Sequence, residues 1–212
     1  MDDFTHAREG RATSVTIVVL AAGKSSRTEG LGHKLLATFA GLPLVRRSTL
    51  IATGSSSLAV VVVTGYRGAE IASVIADLDV TIVQNDSYQS GISSSIAVGV
   101  RVACKSDPTG IMVMLADMPA LTTAAIDQLL MAFEAAGSQA IVRATDGGMP
   151  GNPVVLPRSL FDRLEHLTGD TGARRLIDSC GLPLIDVEIG HAASFDVDTP
   201  ERLEAAGGLW GK

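Results

Sequence analysis

Short apolar runs punctuate the first half of the chain: Val15–Leu20, Val60–Thr64, Val80–Gln84 and Ile111–Leu115. They are rich in β-branched residues and nearly continuous, the pattern of strands buried on both faces. Candidate helices lie between and after them, at about Leu44–Thr53, Ala69–Ala76, Ile92–Ala103 and Thr122–Ala136. Thr122 is placed to cap the last of these, and Gly137 follows its final turn as a C-terminal cap does. Strands alternating with helices predict an α/β fold with a mostly parallel sheet covered on both faces.

The rhythm changes after Gln139–Arg143. Asp146-Gly-Gly-Met-Pro-Gly-Asn-Pro153 is a cluster of turn formers and reads as a turn region. A short strand at Val154–Leu156, helical pieces near Ser159–Leu167 and Gly172–Ser179, and a strand near Leu182–Val187 follow. Thr199–Ala206 reads as a helix with Pro200 in its first turn. No repeat, low-complexity tract or charged linker interrupts the chain. We therefore expect residues 1–14 to form a flexible tail and 15–212 a single domain. Its C-terminal third decorates one edge and the site.

Composition narrows the function classes. The chain has 212 residues, 46% hydrophobic and 19% charged, which suits a folded core and excludes a disordered or fibrous chain. Lys plus Arg number 17 and Asp plus Glu 23, so the formal net charge is −6. That balance argues against general nucleic-acid or anionic-membrane partners, which need a basic field. The most apolar runs, Ile17–Ala22 and Leu58–Val63, are too short to span a bilayer. The N-terminal segment lacks the apolar centre of a signal peptide. Cys104 and Cys180 stand far apart, with neither disulfide-framework nor zinc spacing. They read as the thiols of a reduced, cytoplasmic protein.

Chemistry gathers at strand ends. The first strand runs into Leu20-Ala-Ala-Gly-Lys-Ser-Ser-Arg27, with Lys34 following after Gly30 and Gly32. Backbone N–H groups of such a turn can cradle phosphate, and Lys24, Arg27 and Lys34 can neutralise it. The same residues also read as a glycine-rich turn with solvated charges. A Walker A loop is excluded because its first glycine position holds Val18. The dinucleotide Gly-x-Gly-x-x-Gly pattern fails because Leu35 stands at its third glycine.

Asp117 sits at the tip of the fourth strand, in Leu115-Ala-Asp-Met-Pro119, as a metal ligand or as a turn or helix cap. Asp196 and Asp198 alternate in Phe195-Asp-Val-Asp-Thr-Pro200, so an extended backbone points both to one side. Either could instead cap the helix that follows. Gly91-Ile-Ser-Ser-Ser95 opens a helix and offers an anion or base site, or a plain N-cap. His6, His33, His166 and His191 show no ligand spacing and read as surface or packing residues.

Taken together and in order, these segments resemble the molybdenum cofactor cytidylyltransferases. These belong to the nucleotidyltransferase superfamily that also holds the molybdenum cofactor guanylyltransferases. Gly151-Asn-Pro153 and Gly169-Asp-Thr-Gly-Ala-Arg174 complete the set, which runs from about Thr16 to Ala206. Ala22 is similar to the cytidylyltransferases, where the guanylyltransferases tend to carry Gly. The chain departs from the pattern after Arg27, where Thr28-Glu29-Gly30 replaces the usual Met-Gly and brings a negative charge.

The resemblance implies a Rossmann-like, three-layer nucleotidyltransferase fold. It implies that Leu20, Ala21, Ala22, Gly23, Lys24 and Ser25, with Gly91, Ser93 and Ser94, hold a nucleoside triphosphate. Arg27, Lys34 and Asp117 would be catalytic, and Asp117 and Asp198 would bind Mg2+. Gly151, Asn152, Pro153, Asp170 and Arg174 would line an acceptor pocket. The implied reaction moves CMP from CTP to a phosphorylated pterin, the molybdopterin form of molybdenum cofactor. Pyrophosphate leaves, and a molybdoenzyme client is an implied partner. The alternatives are GMP, AMP or sugar-phosphate nucleotidyl transfer, a non-catalytic molybdenum cofactor accessory protein, and an NAD(P)-dependent reductase.

Overall fold

The computed structural model describes residues 13–24 and 32–210. Ser25, Arg27, the Thr28-Glu29-Gly30 departure and residues 1–12 of the expected tail therefore lie outside the described residues.

The first strand, β1 (Val15–Ala21), is buried along its whole length. It is flanked by parallel neighbours on both sides, β4 (Ala59–Thr64) and β6 (Gly110–Leu115). Alternate residues of β1 feed two opposite cores. Val15, Ile17, Val19 and Ala21 pack with α1 (Leu44–Thr53), α2 (Gly68–Ser73) and α4 (Thr123–Ala135). Val18 and Leu20 pack with α3 (Ile92–Ala103), α5 (Phe161–Glu165) and α6 (Arg174–Ser179). A strand with apolar side chains on both faces thus enforces three layers, helices over and under one sheet. Each buried Val, Leu or Ile contributes about 1.5–3 kcal/mol relative to exposure.

The main sheet has seven strands in the order β5-β4-β1-β6-β8-β7-β9. Here β5 is Thr81–Gln84, β7 Ile141–Asp146, β8 Met149–Pro157 and β9 Leu184–Glu188. Only β8 runs antiparallel to its neighbours, so the sheet is mostly parallel, as expected. A small antiparallel sheet of two-residue strands, β2 (Thr38–Phe39), β3 (Leu42–Pro43) and β10 (Gly208–Leu209), was not foreseen. Helix α7 (Pro200–Ala205) is capped by the Thr199 side chain, and α4 by Thr122. The helix-capping alternative for Asp117, Asp196 and Asp198 thus falls to Thr122 and Thr199, and Asp117 lies in a turn. No helix among the described residues is long and apolar enough to cross a membrane.

The Asp146–Pro153 turn region is corrected by the structure. The turn is confined to Gly147-Gly148, and Met149 already begins β8. Pro150 and Pro153 are tolerated in that strand because its first part overhangs the sheet, and Pro157 is its last residue. β8 pairs with β6 only from Val154 onward, so residues 149–153 have a strand partner on one side at most.

The chain moves outward from β1 to β4 and β5, then returns to β6 on the other side of β1. Ligands of open α/β sheets bind beyond the strand C-termini at such a reversal. The tips of β1 and β6 meet there, with the Ala116 N–H donating to the Leu20 carbonyl at 3.1 Å.

Helix α3 lies so close to the sheet that a Cβ on Gly99 would fall 2.3 Å from Val18 Cγ1 and 3.0 Å from Val63 Cγ2. Helix propensity alone favours Gly99→Ala by about 1 kcal/mol. We expect the opposite sign, a loss of about 1–3 kcal/mol from overpacking, measured by urea denaturation.

Candidate active site

Three segments distant in sequence converge on one ammonium. Lys34 begins a short 3-10 turn, Lys34–Leu36, anchored by the buried Leu35. Its Nζ donates to Asp117 Oδ2 at 2.5 Å and to Asp198 Oδ1 at 2.5 Å. The three side chains are 12%, 17% and 31% exposed, so solvent screens the charges only in part. Burial pushes the Lys34 ammonium toward losing its proton. The charge and hydrogen bond of Asp117, together with those of Asp198, outweigh burial and raise its pKa above the ordinary lysine value. Lys34 is therefore positively charged throughout the neutral range.

The C-terminal motif reaches this point by backbone pairing. The Val197 N–H donates to the Asp117 carbonyl at 3.0 Å, and the Val197 side chain is buried in the core. Asp196 and Asp198, on either side of Val197, both line the cleft that holds Asp117, as the alternation predicts. Carboxylate oxygens of Asp117, Asp196 and Asp198 lie within 4.8 Å of one another. Burial, the neighbouring Asp198 and the Asp117 charge push the Asp196 carboxyl above its ordinary range. Asp196 also accepts from Arg202 Nη1 at 3.2 Å.

These groups suit a divalent cation. Asp117 Oδ1 is buried and has no hydrogen-bond partner among the described residues. A hard oxygen donor left unsatisfied beside two further carboxylates matches the ligand preference of Mg2+ or Mn2+.

The cleft around them measures about 500 Å3. Of the residues assigned to nucleotide or catalysis, Leu20, Ala22, Gly23, Lys24, Lys34, Gly91 and Asp117 line it. Ala21 is buried in the core instead. Ser93 and Ser94 do not line it. Ser93 is fully buried, and the Ser94 hydroxyl donates to the Gly91 carbonyl at 2.8 Å. The lining serine is Ser95, whose hydroxyl accepts from the buried Asn85 side chain at 2.9 Å. Ile92 and Leu115 of the quoted motifs also line the cleft, as do Tyr88 and Gln89, which were not singled out from sequence.

A second cleft, of about 540 Å3, adjoins the first and shares Ile92, Leu115 and Asp170 with it. Gly91 makes that shared wall possible. Its φ is +105°, and a Cβ there would fall 2.2 Å from Asp170 Oδ1. Gly151, Asn152, Asp170 and Arg174 line this second cleft, whereas Pro153 does not. Its other walls are mainly apolar: Ile96, Val113, Val154, Leu156 and Ile177. Arg143 also lines it, held by Asp186 at 2.9 and 3.1 Å. The overhanging start of β8 forms one side, and Glu188 braces its turn. The Glu188 carboxylate accepts from the Gly147 and Gly148 N–H groups at 2.9 and 3.0 Å. The Gly148 and Gly147 bonds hold that carboxyl below the usual range.

Replacing Lys34 with methionine removes the cation and leaves Asp117 and Asp198 in mutual repulsion. We expect Lys34→Met to lose roughly 2–3 kcal/mol of stability, less than a fully buried pair because solvent reaches Asp198. Added Mn2+ should restore more melting temperature in Lys34→Met than it adds to wild type. Equal responses in a thermal melt would contradict the shared cation site.

Comparison with known proteins shows the family and the fold. GlmU, the bifunctional protein of Clavibacter sepedonicus, is 28% identical over 187 residues, covering 85% of this chain and 38% of that protein. This chain thus spans under two fifths of that relative's length. A homologue of Mycobacterium tuberculosis Rv0371c, from Mycobacterium sp. strain JC1, has a similar structure. It has a TM-score of 0.78 at 26% identity, over 91% of this chain and 94% of that one. Rv0371c of M. tuberculosis H37Rv, solved in complex with manganese, shares the fold with a TM-score of 0.73 at 22% identity, over 92% and 98% of the two chains. Residues 17–184 match the MobA-like NTP transferase domain, the family to which this chain belongs.

Proposed function

We propose that this chain is a cytoplasmic, Mg2+-dependent nucleotidyltransferase that transfers CMP from CTP to the molybdopterin form of molybdenum cofactor. The observation that carries the reading is the pair of adjoining clefts. One is lined by Lys34, Asp117 and Asp198, and the other by apolar walls with Arg143, Arg174 and further polar side chains. Each volume is that of a small-molecule site. The shared wall lets two substrates meet end to end.

In this reading an acceptor phosphate oxygen forms a bond to the α-phosphorus of CTP. The bond from the α-phosphorus to its bridging oxygen breaks, and pyrophosphate leaves with the electron pair. A phosphate monoester is largely dianionic at neutral pH, since its second pKa is about 6, so no strong general base is required. Alignment and charge neutralisation are the tasks left to the protein. Asp117 and Asp198 hold Mg2+, which neutralises phosphate charge when bound. The manganese complex of Rv0371c supports a divalent cation here. Lys24 and Lys34 add positive charge along the triphosphate, and Arg27 is assigned to the departing pyrophosphate. Tyr88, Gly91 and Ser95 line the cleft away from the metal ligands in sequence and are assigned to the base and sugar.

The second cleft sets apolar walls beside polar groups of Asn152, Asp170, Thr171 and Asp178, which suits a planar heterocyclic acceptor with polar edges. Arg174 is exposed at this cleft and is suited to an acceptor's phosphate. Ala22 and the motif order support CTP.

Thermal melts with CTP, GTP, ATP and NADPH, each with and without Mg2+, test the reading. A ligand at 100 times its Kd adds about 2.7 kcal/mol. We expect a Mg2+-dependent shift with CTP. A shift with GTP or ATP instead would keep the chemistry and change the donor, and one with NADPH alone would contradict nucleotidyl transfer. Asp117→Asn should cut transfer from α-labelled CTP about 100- to 1000-fold while the protein stays folded.

A further inference from the structure

His33 has no ligand spacing in the sequence, yet the residue is only 3% exposed and its ring uses both nitrogens. The Leu35 N–H donates to Nδ1 at 3.2 Å, capping the turn that carries Lys34. With Nδ1 accepting, Nε2 carries the proton and donates to the Gly23 carbonyl at 3.1 Å. The ring also stacks on Tyr66, with centroids 5.8 Å apart and planes 22° apart, and Tyr66 tilts against Tyr88 of the first cleft.

We propose that His33 is a positioning residue for the phosphate-binding end of the first cleft, its neutral ring tying the Gly23 carbonyl to the turn that carries Lys34. Gly23, Lys24 and Lys34 line that cleft, whereas His33 does not, so it acts through them. Only one protonation state serves. A protonated ring would direct an Nδ1–H at the Leu35 N–H, and the cap would be lost. The surroundings disfavour that state. Burial lowers the His33 pKa, the Gly23 bond raises it, the Arg67 and Lys34 charges lower it, and Glu70 raises it, with a net lowering. Among the described residues Tyr66 also faces the ring. Acid should therefore loosen the nucleotide's phosphate end as pH falls through the His33 pKa, below the ordinary imidazole range.

The inference rests on reading the first cleft as a nucleotide site, and the test separates the two. His33→Asn keeps a side-chain acceptor for the Leu35 N–H but is too short to span to Gly23. His33→Phe keeps the ring and loses both bonds. Calorimetric titration with Mg·CTP and with CMP, after melts confirm folding, is run on all three proteins. We expect both variants to bind Mg·CTP about tenfold more weakly at about pH 8, with CMP affinity changed less than about twofold. The gap from wild type should close as pH falls through the lowered His33 pKa and the wild-type ring becomes charged. Imidazole 15N spectra of the wild type should show His33 as the Nε2–H tautomer near neutral pH. Folded variants that match wild type, a gap independent of pH, an equal loss for CMP, or the Nδ1–H tautomer would overturn the role. A wild type that binds no nucleoside triphosphate would overturn the nucleotide reading as well, whatever the variants do.

Discussion

Two carboxylates held side by side in a partly desolvated cleft require a cation, and this requirement organises the molecule. Asp117 stands just beyond the tip of β6, and Asp198 arrives from the far end of the chain through the Val197–Asp117 backbone bond. Lys34, separated from them by 83 and 164 positions, answers both with one ammonium. Without a positive charge the two acids repel, and burial makes the repulsion harder to screen. With one, the β1 loop, the β6 tip and the C-terminal motif are fixed to a common point. In the proposed reaction Asp117 and Asp198 would hold a divalent metal that meets this requirement, and Lys34 would pair with the phosphates of the triphosphate.

The fold explains why that point lies where two substrates can meet. The parallel strands β4, β1 and β6 end together at the reversal of strand order. The antiparallel β8 then runs past the end of β6 and raises a second wall beside it. Glu188 holds the β8 turn from the neighbouring strand, and Gly91 lets α3 approach Asp170 between the clefts. The donor side is thus built mainly from parallel strand tips, and the other side from an overhanging hairpin. This division allows the second cleft to change its walls without disturbing the first.

The parts of this arrangement legible in sequence are those with a one-dimensional signature. β1, β4 and β6 announce themselves as continuous apolar runs because both their faces are buried. Asp117 is legible because a charge at the end of such a run has no core to enter. Asp196 and Asp198 are legible because alternation about Val197 sets their common side. The start of β8 was hidden, since Pro150 and Pro153 are forbidden only where a strand has partners on both sides. The resemblance points to the Gly91–Ser95 stretch as a whole, and the phase of α3 decides that Ser95, rather than Ser93 or Ser94, lines the cleft. His33 left no signal at all, because its partners are a backbone carbonyl and a backbone amide, which carry no residue type. The ammonium bridge also joins segments whose separation no local pattern records.

The most direct test is a crystal structure grown with Mn2+ and a non-hydrolysable CTP analogue, with anomalous data collected at the manganese edge. The account predicts an anomalous peak in coordination range of Asp117 Oδ1 and of Asp198, with Lys34 Nζ withdrawn from the carboxylates onto a phosphate oxygen. A metal bound elsewhere, or Lys34 still bridging Asp117 and Asp198 with the nucleotide in place, would contradict it.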